Sequence, residues 1–254
     1  MKKMFNFYKL SKGKYYYQNK KSIKKARKSF INDDYWDLKN LIDPDGRKRN
    51  LTKERLKKIK DLKNEIKYIK NIKKKGSIID LGSGLGHFLS AFDDSWKKVG
   101  IEISSQLNTH SSKYAKIYNF DLEKKLPNIG KFDFIFSYHV IEHLKKPENF
   151  IKNIKKLSKK NSHIIIGTPN FDSGAARLFK KKYRFFHDKT HITYFSELSM
   201  YRMFNDLGFK ILDVDFPYFK TEHFNKKNLN KLFLKNKVSP PFYGNIMTFY
   251  MKLK

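Results

Sequence analysis

Apolar positions recur along the chain at spacings that predict alternating helices and strands. From Leu51 to Ile72 they are mostly three or four residues apart, which predicts an amphipathic helix capped by Thr52 and ending before Gly76. Short apolar runs between turn residues predict strands at 78–81, 98–103, 114–119, 132–137, 163–167 and 210–215. Further helices are expected near 86–92, 148–158 and 196–207. This alternation predicts a doubly wound α/β fold with a mostly parallel sheet.

Three segments flank this alternating part. Residues 1–75 form a basic extension, which we expect to be a helical cap over a domain of residues 76–254. Residues 223–238 are rich in Lys and Asn and predict an insertion, either a surface loop or a short helix. Residues 246–253 follow a Pro-Pro turn and predict one more strand.

Composition limits the class of protein. The chain has 254 residues, of which 39% are hydrophobic, enough for one sizeable core. It has no run of roughly 18 apolar residues and no signal-peptide core, so we expect a cytoplasmic protein without a transmembrane helix. It has no cysteine, which excludes disulfides, thiolate metal ligands and cysteine nucleophiles.

The net charge of +32 is large, and residues 1–75 carry 26 Lys and Arg against 8 Asp and Glu. A field of that size attracts nucleic acid, anionic lipid or a phosphorylated small molecule. The alternative is a Lys- and Asn-rich composition whose lysines decorate solvated faces. Charge alone does not choose between these interpretations.

A glycine-rich turn follows the first predicted strand, in the segment IIDLGSGLGH (78–87). Its three glycines have the spacing G-x-G-x-G, which differs from the G-x-G-x-x-G of dinucleotide-binding turns, and the Gly-Lys-Ser/Thr of a phosphate loop is absent. Asp80 would repel a pyrophosphate but suits a cofactor that carries positive charge. Glu102, at the end of the second predicted strand, is placed to accept hydrogen bonds from a ribose diol.

Five segments occur in order between residues 76 and 215: IIDLGSGLGHF, VGIEIS, FDLEKKLP, FDFIFSYHVIEHL and IIIGTPN. Together they resemble the successive motifs of class I S-adenosylmethionine-dependent methyltransferases, whereas the glycine turn alone would be weak evidence. The resemblance implies the Rossmann-like seven-stranded sheet of that family, mostly parallel with its last strand antiparallel. It also implies S-adenosyl-L-methionine as the cofactor and S-adenosyl-L-homocysteine as its product.

The same resemblance implies cofactor-binding roles by position. Asp80 would lie near the cofactor's amino group, Glu102 would bind the ribose hydroxyls, and Asp121 would bind the adenine amino group. Alternatively, Asp80 caps the turn and Asp121 lies in a surface turn. The full implied set is Asp80, Gly82, Gly84, Gly86, Glu102, Ile103, Asp121, Leu122, Ser137 and His139.

The segment HVIEHL (139–144) matches the inverted zinc-protease pattern through His139, Glu142 and His143. That pattern needs a full helix and a further distant ligand, whereas this segment directly follows a predicted strand. We therefore predict no metal site. The resemblance makes the segment a strand-to-helix junction beside the cofactor, where Glu142 or His143 is structural or faces the acceptor.

A second histidine-containing segment is FFHDKTHITYFS (185–196), after the fifth predicted strand. Methyl transfer needs an aligned nucleophile and, for a hydroxyl, a base, and histidine is suited to that role near neutral pH. The resemblance places this segment at the acceptor pocket. We predict His191 as the base, oriented by Asp188 or His187, with His143 as a further catalytic candidate. The alternative is that His191 only pins the loop through hydrogen bonds.

The segments GTPN, HDKTHITYF and SPPFYGNIM are most similar to those of methyltransferases from bacterial surface-polysaccharide and related small-molecule pathways. This similarity favours O-methylation of a sugar hydroxyl or of a phosphate-type oxygen, as in a phosphoramidate precursor. The basic field favours an anionic acceptor, which arginine binds well. The acceptor-binding candidates are Tyr35, Trp36, Arg177, Arg184 and Tyr194.

Two other functions stay open at this point. A nucleic-acid methyltransferase would explain the positive charge, but the Asp/Asn-Pro-Pro-aromatic clamp that holds a flipped base is absent after the fourth strand, where the chain reads SYHV (137–140). The similar string SPPF (239–242) lies ahead of the last strand instead. A catalytically silent cofactor-binding scaffold is the other alternative, and the intact glycine turn with Glu102 argues against it.

Overall fold

The computed structural model describes residues 9–10, 15–18, 38–43 and 46–254, and a seven-stranded sheet is its main feature. The strands of the described residues are β1 (Lys9–Leu10), β2 (Tyr17–Gln18), β3 (Leu41–Ile42), β4 (Lys48–Arg49), β5 (Gly76–Leu81), β6 (Trp96–Glu102), β7 (Lys116–Asn119), β8 (Phe132–Tyr138), β9 (Ser158–Pro169), β10 (Thr193–Tyr194), β11 (Phe209–Asp215) and β12 (Ile246–Leu253). Each strand predicted from the sequence overlaps one of these, although β9 is longer than expected.

The large sheet has the spatial order β11-β12-β9-β8-β5-β6-β7. Strands β5 to β9 pair with their neighbours in parallel, whereas β12 runs antiparallel to both β9 and β11. This order confirms the expected Rossmann-like sheet with an antiparallel last strand. The carboxyl ends of β5, β6 and β8 therefore meet at one edge, where such sheets bind ligands.

Seven α-helices lie within the described residues. They are α1 (Arg55–Asp61), α2 (Lys63–Ile72), α3 (Ser105–Ser111), α4 (Pro147–Leu157), α5 (Gly174–Phe179), α6 (Glu197–Asp206) and α7 (Lys226–Lys231). Helices α4 and α6 confirm the helices expected near 148–158 and 196–207. Helix α7 lies inside the Lys/Asn-rich segment, and no helix of the described residues is long and apolar enough to cross a membrane.

The helix expected from Leu51 to Ile72 is interrupted. It starts as a 3-10 turn in which Thr52 donates a hydrogen bond to the Asn50 side chain (2.6 Å) instead of capping the helix. The backbone of Leu62 leaves helical geometry between α1 and α2. Leu62 is buried with Ile66 against the sheet, so tertiary packing overrides the local helical preference there.

The prediction of a helix near 86–92 is wrong. This segment forms turns and one short 3-10 turn, Leu89–Ala91. Gly86 has a φ of 73°, which is outside helical geometry. Phe88 stacks on Phe136 with ring centroids 3.6 Å apart, so its contact with the sheet fixes the segment.

Apolar side chains cover both faces of the sheet, as a doubly wound fold requires. One face packs against α4 and α6 through residues such as Phe150, Ile154 and Phe204. The other face packs against α2 and the segment around Phe88. Tyr16 joins the first of these cores, although it precedes the sheet by 60 residues or so in the chain.

The N-terminal residues that the structure describes contact the main domain. Strand β2 pairs antiparallel with β10, and Tyr16 is fully buried beside Phe195. The Tyr16 hydroxyl donates a hydrogen bond to Glu148 (2.9 Å). Residues 15–18 thus contribute to the core, and the division of the chain at residue 75 stays a prediction.

Candidate active site

A cavity of about 590 Å³ opens at the carboxyl ends of β5, β6 and β8. Its side nearest the sheet includes Asp80, Glu102 and Tyr138, which lie at or near the ends of those strands. Residues of the β3–β4 hairpin and of α1 also line it. The remaining wall comes from parts of 184–191, 217–223 and 241–246. One cavity therefore joins the glycine turn to the second histidine segment.

The glycine turn holds left-handed backbone angles that only glycine adopts without strain. The amides of Gly82 and Ser83 donate to the carbonyl of Ile101 (2.8 and 3.0 Å), which ties the turn to β6. A Cβ atom at Gly82 would lie 2.3 Å from Cγ2 of Val140, whereas one at Gly84 would meet no atom within 4 Å. Gly82 is thus needed for packing, and Gly84 lies at the open side of the turn that lines the cavity.

Gly86 does not line the cavity, contrary to its predicted cofactor role. A Cβ atom at this position would lie 2.9 Å from Cβ of Ser111, and its φ is 73°. The physical need for glycine here is close packing of the turn against α3.

Glu102 is buried at the end of β6 and fixes the loops on either side of the cavity. Its Oε2 accepts a hydrogen bond from the Gly84 amide and its Oε1 accepts one from the Ser104 amide, both at 2.9 Å. A carboxylate oxygen can accept more than one hydrogen bond, so both oxygens keep capacity for a ligand in the cavity. The position is that predicted for a ribose-binding acid.

Asp80 is buried at the end of β5 with its side chain lining the cavity. Burial raises the pKa of its carboxyl to about 8, an effect that Lys58 opposes and Glu102 reinforces. Burial also lowers the pKa of Lys58, whose Nζ lies 5.1 Å from the centroid of the Tyr138 ring. Additional positive charge in the cavity would therefore favour the ionised form of Asp80.

Asp121, Leu122 and Ile103 line the cavity, and their binding to the cofactor stays a prediction. Asp121 also accepts a hydrogen bond from the Glu123 amide (2.9 Å), so its side chain closes the turn that follows β7. Ser137 does not line the cavity. Successive side chains of a strand point to opposite faces, and its neighbours Phe136 and Tyr138 line the cavity. The Ser137 hydroxyl instead donates to the carbonyl of Leu81 (2.8 Å).

His139 lines the cavity directly after β8, with a φ of 59° that is unusual for a residue other than glycine. Its Nδ1 lies 2.9 Å from Oε1 of Glu142, and Oε2 of Glu142 accepts a hydrogen bond from Thr168 (3.0 Å). Burial alone would raise the pKa of Glu142, but the hydrogen bond from His139 and the neighbouring imidazoles lower it to about 2. Residues 141–143 form one 3-10 turn, so His139 and His143 do not share a helix face.

His143 and His191 meet at the far wall, with ring centroids 4.8 Å apart. Nδ1 of His143 lies 3.1 Å from the carbonyl oxygen of Thr190, and Nδ1 of His191 lies 3.0 Å from that of Phe185. Burial and the proximity of His191 lower the pKa of His143. Both rings are therefore oriented by backbone carbonyls.

Of the two residues predicted to orient His191, Asp188 is the one whose side chain lies beside it. Oδ2 of Asp188 lies 3.5 Å from Nε2 of His191, and Oδ1 accepts a hydrogen bond from the Thr190 amide (2.9 Å). Burial would raise the pKa of Asp188, but His191 and His143 lower it to about 2. His187 is exposed and does not line the cavity, so the structure does not support it as the orienting residue.

Two acceptor-binding candidates lie away from the cavity. Arg177 is exposed on α5 and pairs with Asp172 (2.8 Å), so its guanidinium is held at the surface. Tyr194 is buried, and its hydroxyl donates to the carbonyl of His191 (2.7 Å), so it positions the backbone of that residue. Arg184, in contrast, is buried and lines the cavity.

Tyr35 and Trp36, the other two acceptor-binding candidates, lie outside the described residues. Sequence reasoning missed Lys58, because nothing distinguishes this lysine from the many others in the basic extension. It also missed Thr168, the buried hydrogen-bond donor to Glu142, which is an ordinary strand residue in the sequence.

The family model for the methyltransferase domain matches residues 51–214. An uncharacterized protein of Methanocaldococcus jannaschii is 28% identical over 162 residues, covering 62% of this chain and 76% of that protein. The ubiquinone biosynthesis O-methyltransferase of Pelagibacter ubique is 28% identical over 169 residues, covering 60% of this chain and 65% of that enzyme. The family model thus covers strands β5 to β10 and all but the last residue of β11.

Solved structures show the same fold. A magnesium protoporphyrin IX methyltransferase of Synechocystis with bound S-adenosylhomocysteine has a TM-score of 0.60 at 13% identity, covering 91% of this chain and 99% of that one. A methyltransferase of Thermotoga maritima that depends on S-adenosylmethionine has a TM-score of 0.56 at 18% identity, covering 80% and 94%.

The cavity fits this cofactor on its own geometry. The open side of the turn at Gly84 leaves space for a ligand, and Glu102 offers acceptors for a diol. Asp80 is a buried acid that a positively charged ligand would ionise. The chain belongs to the methyltransferase-domain family and is a class I S-adenosylmethionine-dependent methyltransferase.

Proposed function

We propose that the protein O-methylates a small hydroxylated or phosphate-bearing molecule, with His191 as the base. The observation that carries the proposal is the position of His191 at the cavity wall, with Nδ1 held by the carbonyl of Phe185 and Nε2 3.5 Å from Asp188. In a neutral ring held this way, Nε2 can take the proton of a hydroxyl. The adjacent carboxylate would stabilise the cation that forms.

The opposite end of the cavity would hold the cofactor. Glu102 would accept hydrogen bonds from the ribose hydroxyls, Asp80 would lie near the amino group, and Asp121 would lie at the adenine end. Bound there, S-adenosylmethionine supplies a methyl group on a sulfonium. The part of the protein chain is to hold the acceptor oxygen in line, to keep water out and to receive a proton.

Basic side chains in the cavity wall support an anionic acceptor. Arg184 is buried there, and Arg49 and Lys58 also line the cavity, although Arg49 pairs with Asp43 and Glu54. Guanidinium and ammonium groups in such positions bind phosphate or carboxylate. An oxygen acceptor agrees with the O-methyltransferase among the relatives. Within this class we propose a sugar or phosphoramidate-type precursor of a bacterial surface polysaccharide, as the sequence motifs favour.

The test is a screen for methyl transfer to sugar nucleotides, phosphorylated sugars and neutral sugars, with RNA as the comparison. We expect transfer to an oxygen of a small molecule. Substitution His191→Ala should lower kcat by roughly a hundredfold or more, which is the usual contribution of a general base, while affinity for the cofactor stays unchanged. His187→Ala is the matched control, because His187 is exposed and outside the cavity.

Two results would refute the proposal. Methylation of RNA alone, with every small molecule inert, would refute the acceptor class. Undiminished turnover by a folded His191→Ala protein would remove His191 as the base.

A further inference from the structure

The imidazoles of His143 and His191 are held in the way that proteins hold metal ligands. Each Nδ1 lies within hydrogen-bond distance of a backbone carbonyl, that of Thr190 at 3.1 Å and that of Phe185 at 3.0 Å. A carbonyl only accepts, so Nδ1 carries the hydrogen in both rings. In the neutral form of each ring, Nε2 then carries the lone pair, and the same device fixes the tautomer of metal-binding histidines.

An acidic side chain completes a set of three donors. Glu142, His143 and His191 can each offer one ligand atom such that all of these atoms lie within 4.8 Å of one another. Glu142 is buried, and both of its oxygens are oriented, one by His139 (2.9 Å) and one by Thr168 (3.0 Å). In metal sites, hydrogen-bond partners of this kind commonly hold a ligating carboxylate in its orientation.

A further carboxylate lies next to this set. Oδ2 of Asp188 is 3.5 Å from Nε2 of His191, and Asp188, His143 and His191 all line the cavity. This wall combines two carboxylates with imidazole nitrogens, and a cation would balance its negative charge. The wall also faces the space that the acceptor would occupy.

We propose that Glu142, His143 and His191 bind a divalent first-row transition-metal ion at the acceptor end of the cavity. Two imidazoles and one carboxylate form the donor set of open catalytic zinc sites, in which the fourth position is left to water or substrate. Ligands of a tetrahedral zinc ion lie about 3.3 Å apart, so binding of the ion would bring the ligand atoms closer by at most roughly 1.5 Å.

This inference rests on the proposed function for the place of the acceptor, and it changes the part played by His191. The Nε2 lone pair of that residue cannot hold an ion and receive a proton at the same time. With the ion bound, the acceptor hydroxyl would be polarised by the ion, so that its O–H bond breaks and its proton leaves to water. The two assignments of His191 therefore exclude each other and are separable by experiment.

The sequence pattern HVIEHL alone predicts no metal site, because a zinc motif of this kind needs a full helix and a further distant ligand. The structure supplies the distant residue, since His191 lies beside His143 although 47 residues separate them along the chain. The ion would thus be held by a turn and a loop instead of by two positions of one helix.

The experiment uses the full chain after treatment with a chelator and its removal. Calorimetric titration with Zn²⁺ measures affinity and stoichiometry, and the visible absorption of added Co²⁺ reports the geometry of its ligands. We expect one ion per chain. His143→Ala, His191→Ala and Glu142→Gln should each weaken binding by roughly a hundredfold or more. Thr168→Val removes only the hydrogen bond to Glu142 and should weaken binding by about 10- to 100-fold.

His187→Ala is the matched control, because this exposed histidine would contribute only to adventitious binding. Circular dichroism establishes that each variant is folded, and Thr168→Val serves as the mild variant if an alanine variant is not. Absence of Zn²⁺ and Co²⁺ binding, or equal binding by wild type and all of the ligand variants, would overturn the metal site.

Methyl transfer separates this inference from the proposed function. Transfer that is unaffected by the chelator but lost in His191→Ala would overturn the metal site and leave His191 as the base. Metal binding that follows the ligand variants, in a protein that methylates no small molecule, would support the metal site and refute the proposed function.

Discussion

At the scale of single residues, the two glycines at the start of the turn differ in what they do. Gly82 has no room for a Cβ atom because of Val140, whereas Gly84 has open space. Gly82→Ala should therefore lower the free energy of unfolding by about 2–4 kcal/mol, from overpacking and a left-handed backbone. Gly84→Ala should cost only about 1 kcal/mol but weaken binding of S-adenosylmethionine, since the new methyl group enters the space along the cavity.

Urea denaturation and calorimetry test this pair. Equal losses of stability in both variants would contradict the assignment of packing to Gly82 and of ligand approach to Gly84. Gly130→Ala is a suitable control for backbone strain, because this glycine also has a positive φ and open space but lies outside the cavity.

Asp80 gives a prediction about pH. The pKa of this buried carboxyl is raised to about 8 in the folded protein, whereas an unfolded Asp titrates near pH 3.9. Between these values the folded protein binds one more proton than the unfolded chain, so the stability of the ligand-free protein falls as pH rises. The slope contributed by Asp80 approaches about 1.4 kcal/mol per pH unit. It returns to zero above pH 8 or so, where the carboxyl is ionised in both the folded and the unfolded protein.

Asp80→Asn should remove this slope, so that the variant gains stability relative to the wild type as pH rises from 5 to 8 or so. The measurement is the free energy of unfolding from urea melts at several pH values. Parallel curves for the two proteins would show that Asp80 is ionised in the folded state. The same variant should bind S-adenosylmethionine more weakly, because the carboxylate next to its amino group is lost.

At the scale of elements, β2 fixes the N-terminal segment to the domain. Tyr16 contributes a fully buried ring beside Phe195 and a hydrogen bond to Glu148. Tyr16→Ala should lower the free energy of unfolding by about 3–5 kcal/mol, as other buried aromatic truncations do. Tyr16→Phe keeps the ring and should cost about 1 kcal/mol, the usual value of one hydrogen bond. Thermal or urea unfolding measures both changes. An unchanged free energy of unfolding in Tyr16→Ala would contradict burial of this segment.

The sheet could be predicted from the sequence because its signals are local. Apolar runs such as 132–137 and 163–167 mark strands without any knowledge of their partners. The break at Leu62 and the pairing of β2 with β10 could not be predicted, because both depend on contacts between distant parts of the chain. Residues 86–92 predict a helix because their apolar spacing is the same in a helix and in the turns that the structure shows.

For the candidate site, too, the sequence predicts some positions and not others. Residues next to strand ends, such as Asp80 and Glu102, follow from the order of strands alone. The contact between His143 and His191 could not be predicted, because it joins two loops that the sheet brings together. Charge alone makes Arg177 a candidate for acceptor binding, but its pairing with Asp172 holds it at the surface.

At the scale of the whole molecule, acidic and basic groups both line the cavity. Asp80 and Glu102 lie at the ends of strands of the sheet, and the N-terminal extension adds four basic residues, Arg47, Arg49, Lys57 and Lys58. Three acids of the same region, Asp43, Glu54 and Asp61, line the cavity too, and ion pairs join Arg49 to Asp43 and Glu54 and Lys57 to Asp61. The basic charge that the extension brings to the cavity is therefore largely paired, and both interpretations of the net charge stay open.

The most direct test of the account is calorimetric titration of the intact protein with S-adenosylmethionine. The account predicts one site per chain with affinity in the micromolar range, lost in Glu102→Ala because the ribose loses its acceptors. Glu197→Gln is the matched control, since this acid begins α6 outside the cavity and should leave binding unchanged. Absence of binding by the intact protein, or equal binding by Glu102→Ala, would contradict the assignment of this cavity to the cofactor.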